Sequence, residues 1–323
     1  MTRLLSAMFL SLIVVGAAFA QDTAKPATPP PTIVQIVRDA IAANDFAKAE
    51  KLALDDMKAK GTTPIALEAF SWLGRGAVAA KNYDAAMTYA ARTYEMVEAQ
   101  LKTRKLDDEA RLPIALGAAI EVTALATAGQ GGRSDAVLYL RREVETYKGT
   151  SIVERLNKNV NLLSLEGSPA FSLDSPKWIG APPPSMASLK GKPVIIYLWA
   201  HWCPDCKAQG PVLEAMLEKY KSTGLTLVAP TKFYGYVARR APAGPEEELA
   251  YLTGIRDSVY PWMKTLPAPI SEQIFAQYGV STTPTLVLID RAGRVSKYNP
   301  GQLTAEQLEP MIQKIIAPAG SAR

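Results

Sequence analysis

The stretch Tyr197-Leu-Trp-Ala-His-Trp-Cys-Pro-Asp-Cys-Lys207 decides the fold, because it places the chain's only two cysteines where a strand gives way to a helix. The apolar run 194–199 predicts a buried parallel strand, and residues 206–217 have the pattern of a helix. Cys203 then lies at the helix N-terminus, where free backbone N–H groups and the helix dipole stabilise a thiolate and lower a thiol's pKa. We therefore expect Cys203 to be the nucleophile of a redox-active dithiol and Cys206 to be its resolving thiol.

Other uses of a CxxC pair fit this chain poorly. A structural zinc site needs four ligands, whereas the chain offers two cysteines and a single histidine, His201. Covalent haem attachment needs a histidine directly after the second cysteine, where Lys207 stands. A disulfide across so short a loop also adds little stability. We expect no metal and no cofactor other than the Cys203–Cys206 disulfide itself.

Length and composition allow two globular domains. The chain has 323 residues, of which 48% are apolar and 21% charged. Its net charge of +5 is spread along the sequence without basic clusters, which argues against nucleic acid as a partner.

The first residues predict export from the cytoplasm. Arg3 precedes the mostly apolar stretch 4–19, which ends in Ala18-Phe19-Ala20, the pattern of a signal peptide (residues 1–20) cleaved after Ala20. An uncleaved inner-membrane anchor is the alternative, because the stretch reaches the lower length limit of a spanning helix. Both predict a body in the bacterial periplasm, an oxidising compartment in which two cysteines favour catalysis.

The rest of the chain shows two different sequence patterns. Residues 21–32 are a Pro-rich, extended leader, and residues 33–166 show helical apolar spacing throughout, which predicts an all-α domain. Residues 167–318 alternate strands and helices and hold an insert at about 231–278, and residues 319–323 form a short tail. The domain boundary is therefore expected near Gly167.

The helical half contains a near-repeat. The segments 44–50 and 81–87 share an aromatic-x-x-Ala pattern similar to that of tetratricopeptide-type hairpins. The spacing exceeds the standard period of about 34 residues and the closing prolines are missing, so a plain helical bundle is an open alternative. Its function is equally open between a docking or dimerising module, which allows a homodimer, and a spacer.

The C-terminal half predicts a βαβ unit followed by a ββα unit, an α/β fold with a central mixed sheet flanked by helices. Besides the strand before the cysteines, into which residues 171–173 and 189–193 lead, we expect a strand at 225–229 and a hairpin formed by 285–290 and 294–298. A last helix begins after Thr304, which has capping-box spacing to Gln307.

This half resembles the thioredoxin fold, specifically the TlpA-like and ResA-like extracytoplasmic thiol-disulfide oxidoreductases. The motifs that carry the resemblance are Gly191-Lys-Pro193, the CxxC stretch 199–206, Pro211, and Ser281-Thr-Thr-Pro-Thr285. The resemblance implies a protein-disulfide reductase. Its partners would be disulfide-containing periplasmic client proteins, for example in cytochrome c maturation, and a membrane thiol carrier that supplies electrons.

The resemblance also assigns residues to client binding. Pro284 matches the family's cis-proline, and the backbone at Thr283 would pair with an extended client segment while Cys203 attacks its disulfide. Trp202 and Pro204, on either side of Cys203, are expected to contact the client as well, whereas Trp199 is expected in the core.

Two neighbours are expected to tune the dithiol. Asp205 adds negative charge, which opposes the Cys203 thiolate and predicts a reductant rather than a strong oxidant. His201 either holds positive charge near the thiolate or is a solvent-exposed bystander, and we expect it to be exposed. The family's buried aspartate is replaced by Tyr197, which is no base at neutral pH. The proton acceptor for Cys206 is therefore open between Asp205 and a glutamate brought in by folding.

Two other functions are weighed against this one. A peroxiredoxin-like thiol peroxidase would need proline and threonine where Ile196 and Ala200 stand. A client-binding scaffold that works through its helical half would keep its role after Cys203→Ser, whereas an oxidoreductase would lose it.

Overall fold

The computed structural model describes residues 30–317, so the predicted signal peptide, most of the leader and the tail lie outside the described residues. The chain divides into two units, Met1–Thr32 and Ile33–Arg323. Residues 30–32 of the first unit have no regular structure, and every element below belongs to the second unit.

Residues 33–164 are built from helices. They are α1 (Ile33–Ala42), α2 (Phe46–Lys60), α3 (Pro64–Ala79), α4 (Tyr83–Leu101), α5 (Leu112–Gly129), α6 (Arg133–Thr146) and α7 (Val153–Ser164). Consecutive helices pack as the pairs α1–α2, α3–α4 and α5–α6, and the first helix of each pair also packs on the first helix of the next. This confirms the all-α expectation and shows a row of helical hairpins. A tetratricopeptide relationship stays a prediction.

The near-repeat encodes the hairpin turns. Asn44 and Lys81 both take a left-handed conformation, with φ of 58°, just before the second helix of their hairpin. The next residues, Asp45 and Asn82, cap that helix by accepting hydrogen bonds from backbone N–H groups at 3.0 and 3.2 Å. The matching sequences therefore mark two equivalent turns.

The aromatic residues of the near-repeat fill space left by glycines. A Cβ added to Gly76 would lie 2.9 Å from the Phe46 ring, and one added to Gly129 would lie 2.3 Å from the Tyr83 ring. Each aromatic begins the second helix of one hairpin and packs on the first helix of the next, so these contacts join neighbouring hairpins.

Residues 178–316 form the α/β half. Its strands are β1 (Trp178–Ile179), β2 (Val194–Leu198), β3 (Thr226–Val228), β4 (Ala268–Pro269), β5 (Thr285–Ile289) and β6 (Val295–Pro300). Its helices are α8 (Met186–Leu189), α9 (Pro204–Lys219), α10 (Pro245–Val259), α11 (Glu272–Tyr278) and α12 (Ala305–Ile316). The main sheet has the order β3-β2-β5-β6, with β2 parallel to β3 and the other neighbours antiparallel. The mixed sheet and the order βαβ then ββα are confirmed.

The segment 171–173, which leads towards the core strand, has no regular structure itself. This segment has no ladder partner because it packs as an irregular cover over α11, where the Phe171 ring lies 5.0 Å from the Tyr278 ring and Leu173 is buried. The strand in this region is β1, which pairs with β4 inside the predicted insert.

Helices cover both faces of β2, so all five of its residues are buried. Ile195 and Tyr197 belong to a core cluster that contains residues of α9, α10 and α12, and Val194, Ile196 and Leu198 belong to a second cluster with residues of α11. This explains why the strand has a continuous apolar sequence instead of an alternating one.

The helical half and the α/β half meet at α7 and α11. Gly279, with φ of 59°, ends α11 so close to α7 that an added Cβ would lie 2.4 Å from the Lys158 backbone nitrogen. Beside it, the Asn161 side chain donates a hydrogen bond to the Gln277 carbonyl at 3.0 Å. The position of α11, and of the loop that follows it, is therefore fixed by the helical half.

Helix α5 is the one helix among residues 30–317 that is long and apolar enough to cross a membrane. It packs among α3, α4, α6 and α7, and a core helix of a soluble protein has the same composition, so the indication is weak.

Candidate active site

Cys203 is the N-cap residue of α9. Its φ and ψ of −81° and 112° are those of extended backbone, and its Sγ accepts the Cys206 backbone N–H at 3.0 Å. Pro204 follows at the first helical position, where no N–H is needed. The Cys206 N–H and the positive end of the helix dipole therefore stabilise a negative charge on Cys203 Sγ.

The two cysteines form a disulfide with a Cα–Cα distance of 5.3 Å. Both residues are almost wholly buried in this state. The Thr283 carbonyl oxygen lies 3.4 Å from Cys203 Sγ, and the Thr283–Pro284 peptide bond is cis, as expected. The structure therefore brings together Cys203 and Cys206, at the start of α9, with Thr283 and Pro284, in the loop before β5.

The two tryptophans of the CxxC stretch lie in different environments. Trp199 is fully buried, as expected, and its indole N–H donates to the Ala229 carbonyl at 3.0 Å. Trp202 is 48% exposed and meets the Tyr234 ring edge-on at 5.6 Å. Trp202 and Pro204 thus form an exposed surface beside Cys203, and their contact with a client stays a prediction.

The expectation that His201 is solvent-exposed is wrong. Its side chain is 1% exposed and lies edge-on to the rings of Tyr234, Tyr236 and Tyr251 at 5.3–5.4 Å. Burial lowers the pKa of the imidazole, although the Glu248 carboxylate 3.4 Å away opposes this shift. We conclude that His201 is neutral at pH 7 and places no positive charge beside the dithiol.

Glu248, on α10, was missed by the sequence reasoning. Its side chain is 1% exposed, and its two oxygens accept the backbone N–H groups of Tyr234 and Gly235 at 2.6 and 2.8 Å. A carboxylate with two such donors holds the loop at 232–236 in place. That loop supplies two of the rings around His201, so the insert packs directly on the CxxC stretch.

Tyr197 is excluded as the proton acceptor for Cys206. Its hydroxyl donates a hydrogen bond to the Cys206 carbonyl at 2.7 Å, and burial, reinforced by Tyr260, raises its pKa far above the normal value. It therefore stays a neutral donor that fixes the first turn of α9. Asp205, one of the two candidates for this role, is exposed in that first turn.

The described residues contain no group of three or more histidine, cysteine, aspartate or glutamate side chains with the arrangement of a metal site. The expectation that the dithiol needs neither metal nor cofactor stays a prediction.

Comparison of the sequence with known proteins identifies related families. Residues 184–316 match the model of the thioredoxin-like domain. The thiol-disulfide oxidoreductase ResA of Bacillus thuringiensis (strain Al Hakam) is 30% identical over 132 residues, which are 40% of this chain and 67% of ResA. The thioredoxin-like protein YneN of Bacillus subtilis (strain 168) is 24% identical over 50% of this chain and 87% of its own.

Among solved structures, a thiol:disulfide interchange protein DsbE from Chlorobium tepidum aligns with a TM-score of 0.36 and 23% identity over 47% of this chain and 98% of its own. The ResA match covers less than half of this chain, so the relationship concerns the α/β half. From the ResA match, and with the CxxC disulfide at a helix N-cap in that half, the chain belongs to the thioredoxin-like family as a thiol-disulfide oxidoreductase related to ResA.

Proposed function

We propose that this oxidoreductase acts in the periplasm as a reductase of client-protein disulfides. The observation that carries the proposal is the arrangement at Cys203, whose Sγ lies between the Cys206 N–H and the Thr283 carbonyl. One contact stabilises the thiolate, and the other places the backbone of the cis-proline loop against the reacting sulfur.

The reaction is two thiol-disulfide exchanges. The Cys203 thiolate attacks one sulfur of the client disulfide, forms a mixed disulfide and expels the other client sulfur as a thiolate. Cys206, after losing its proton, attacks Cys203 Sγ and releases the second client thiolate. Two electrons pass from the dithiol to the client, and the Cys203–Cys206 disulfide is left. A membrane dithiol carrier, oxidised in its turn, regenerates the dithiol.

The Thr283 side chain supports client binding at this loop. Its Oγ1 is buried and has no hydrogen-bond partner among the described residues. A buried hydroxyl without a partner is unfavourable, and rotation of this side chain on client binding would let it bond a backbone group of an extended client segment. Apocytochrome c is the client that the family resemblance suggests, and it serves here as the first protein to test.

The equilibrium reduction potential of Cys203–Cys206 tests the direction of electron flow. Tryptophan fluorescence in defined thiol buffers reports it, because Trp199 and Trp202 flank the cysteines. We expect a potential near that of thioredoxin, about −270 mV, which suits a reductase. A value of about −120 mV would mean an oxidant and would overturn the proposal.

Location is tested separately. A fusion of residues 1–32 to a periplasm-dependent reporter should be exported, and the mature chain should begin after Ala20. Recovery of the uncut chain in the membrane fraction would support the anchored alternative, and recovery in the cytoplasm would contradict both.

A further inference from the structure

A cleft lies between the helical half and the loop that carries the cis-proline. It encloses about 680 Å³, and Ser281 and Thr282 line one side of it. The other side is formed by residues of the helical half, among them Glu109, Ile114, Glu121, Arg155 and Lys158. Thr282 directly precedes Thr283, whose carbonyl oxygen lies 3.4 Å from Cys203 Sγ, so the cleft is lined by the same loop that contacts the reacting sulfur.

The wall of this cleft is held rigidly against the loop. Lys158 lies on α7 at the close contact with Gly279. Gly279 in turn precedes Ser281 by two residues. Arg155 donates to Glu121 at 3.0 Å and to the Ile114 carbonyl at 3.1 Å, which ties α7 to α5. The cleft is thus part of the folded structure and needs no rearrangement to exist.

Charge is distributed unevenly over the cleft. Burial disfavours ionisation of Glu121, but Arg155 and Lys158 outweigh it and lower the pKa of this carboxyl to about 2. Glu121 is therefore already neutralised by cations at 3.0 and 3.2 Å. Asp107 is likewise occupied, because it accepts hydrogen bonds from Ser151.

Glu109 is the exception. One oxygen, Oε1, accepts the Arg111 N–H at 3.3 Å, whereas Oε2 is buried and has no hydrogen-bond partner among residues 30–317. Glu109 lines the cleft and forms no ion pair among residues 30–317, so a cationic side chain that enters the cleft would complement its negative charge.

We propose that the helical half forms one wall of the client-binding cleft, and that Glu109 selects clients with a lysine or arginine close to the reactive cysteine. The inference rests on the proposed function, because the client segment enters the cleft from the Thr283 backbone. It gives the helical half a role in substrate choice, beyond that of a spacer.

Rates of disulfide reduction by the full mature chain test the proposal. The substrates are two oxidised peptides, identical except for lysine or glutamine two residues from the cysteine, and one small aromatic disulfide. We expect the native protein to reduce the lysine peptide about fivefold faster than the glutamine peptide, a ratio typical of one favourable ion pair. The preference should fall at high salt.

Two substitutions locate the effect. Glu109→Gln should bring the rate ratio of the two peptides close to one, and Glu109→Lys should invert it. Glu95→Gln, at an exposed position on α4 away from the cleft, should leave the ratio unchanged. Circular dichroism confirms that each variant is folded before its rates are compared.

The possible failures are distinguishable. If the native protein reduces the small disulfide and both peptides at equal rates, or if Glu109→Lys leaves the lysine preference intact, the cleft proposal is wrong and the reductase function stands. If the native protein reduces none of the three substrates, the proposed function itself is wrong.

Discussion

At the scale of single residues, local sequence determines the position of the dithiol, whereas distant segments of the chain determine its surroundings. Cys203 and Cys206 are neighbours in sequence, and the strand-to-helix pattern around them is local, so their place at the N-cap of α9 could be predicted. The environment of His201 could not. Its partner Glu248 lies in the insert, and no local pattern shows that three tyrosine rings close over a histidine next to the active site.

Replacement of Glu248 tests how much the packing of the insert on the CxxC stretch contributes to stability. In Glu248→Gln the amide oxygen can accept one of the two backbone N–H groups now bound, so one buried donor loses its partner. We expect the free energy of unfolding to fall by about 1–3 kcal/mol, measured by urea denaturation. Glu247→Gln, at the exposed neighbouring position, should change it by less than about 0.5 kcal/mol. Equal losses in the two variants would contradict the assigned role.

The charge of Asp205 is expected to disfavour the thiolate form. Asp205→His removes a negative charge from the first turn of α9, which should stabilise reduced protein and raise the reduction potential by about 30 mV. Glu214→His, at an exposed position farther along the same helix, is the matched control. An unchanged potential for Asp205→His, measured in thiol buffers, would refute the electrostatic explanation.

At the scale of elements, the order of strands and helices around the cysteines follows from sequence periodicity, and the structure confirms it. The segment 171–173 forms no strand and covers α11 instead. The near-repeat in the helical half marked two real hairpin turns. Its aromatics could not be matched to Gly76 and Gly129 in advance, because each contact spans two hairpins.

Gly129 tests that contact. In Gly129→Ala the new methyl group would overlap the Tyr83 ring, so either the ring or α5 must shift. We expect a loss of about 1–3 kcal/mol of unfolding free energy. Gly254→Ala, in α10 with open space around it, should be neutral or stabilising by up to about 1 kcal/mol. Thermal or urea unfolding of the two variants under the same conditions decides the matter, and a Gly129→Ala protein of native stability would contradict the packing described.

At the scale of the whole molecule, Glu121 gives stability a specific pH dependence. Its pKa in the folded protein is about 2, compared with 4.5 for the free side chain. A depressed carboxyl pKa stabilises the fold above about pH 4.5, and this contribution is lost as the pH falls from there towards 2. The contribution is on the order of 2 kcal/mol, because this side chain is largely shielded from solvent.

Unfolding free energies measured between pH 2 and 7 should show this loss in the native protein. In Glu121→Gln the stability should be lower at pH 7, because Arg155 and Lys158 lose their counter-ion, and the decline between pH 4.5 and 2 should be smaller. Glu95→Gln, at an exposed position, should keep the native profile. A Glu121→Gln profile parallel to the native one would show that another group controls the acid range.

The row of hairpins described above has one end at α1 and the other at α7, where the contacts with α11 lie. The first two hairpins have the same kind of turn, and each packs on the next hairpin through the same aromatic-on-glycine contact. Hairpins could therefore be added or removed at the α1 end while the geometry around the dithiol stays constant. In such an architecture the number of helical hairpins can change during evolution without a change in the reactivity of the dithiol.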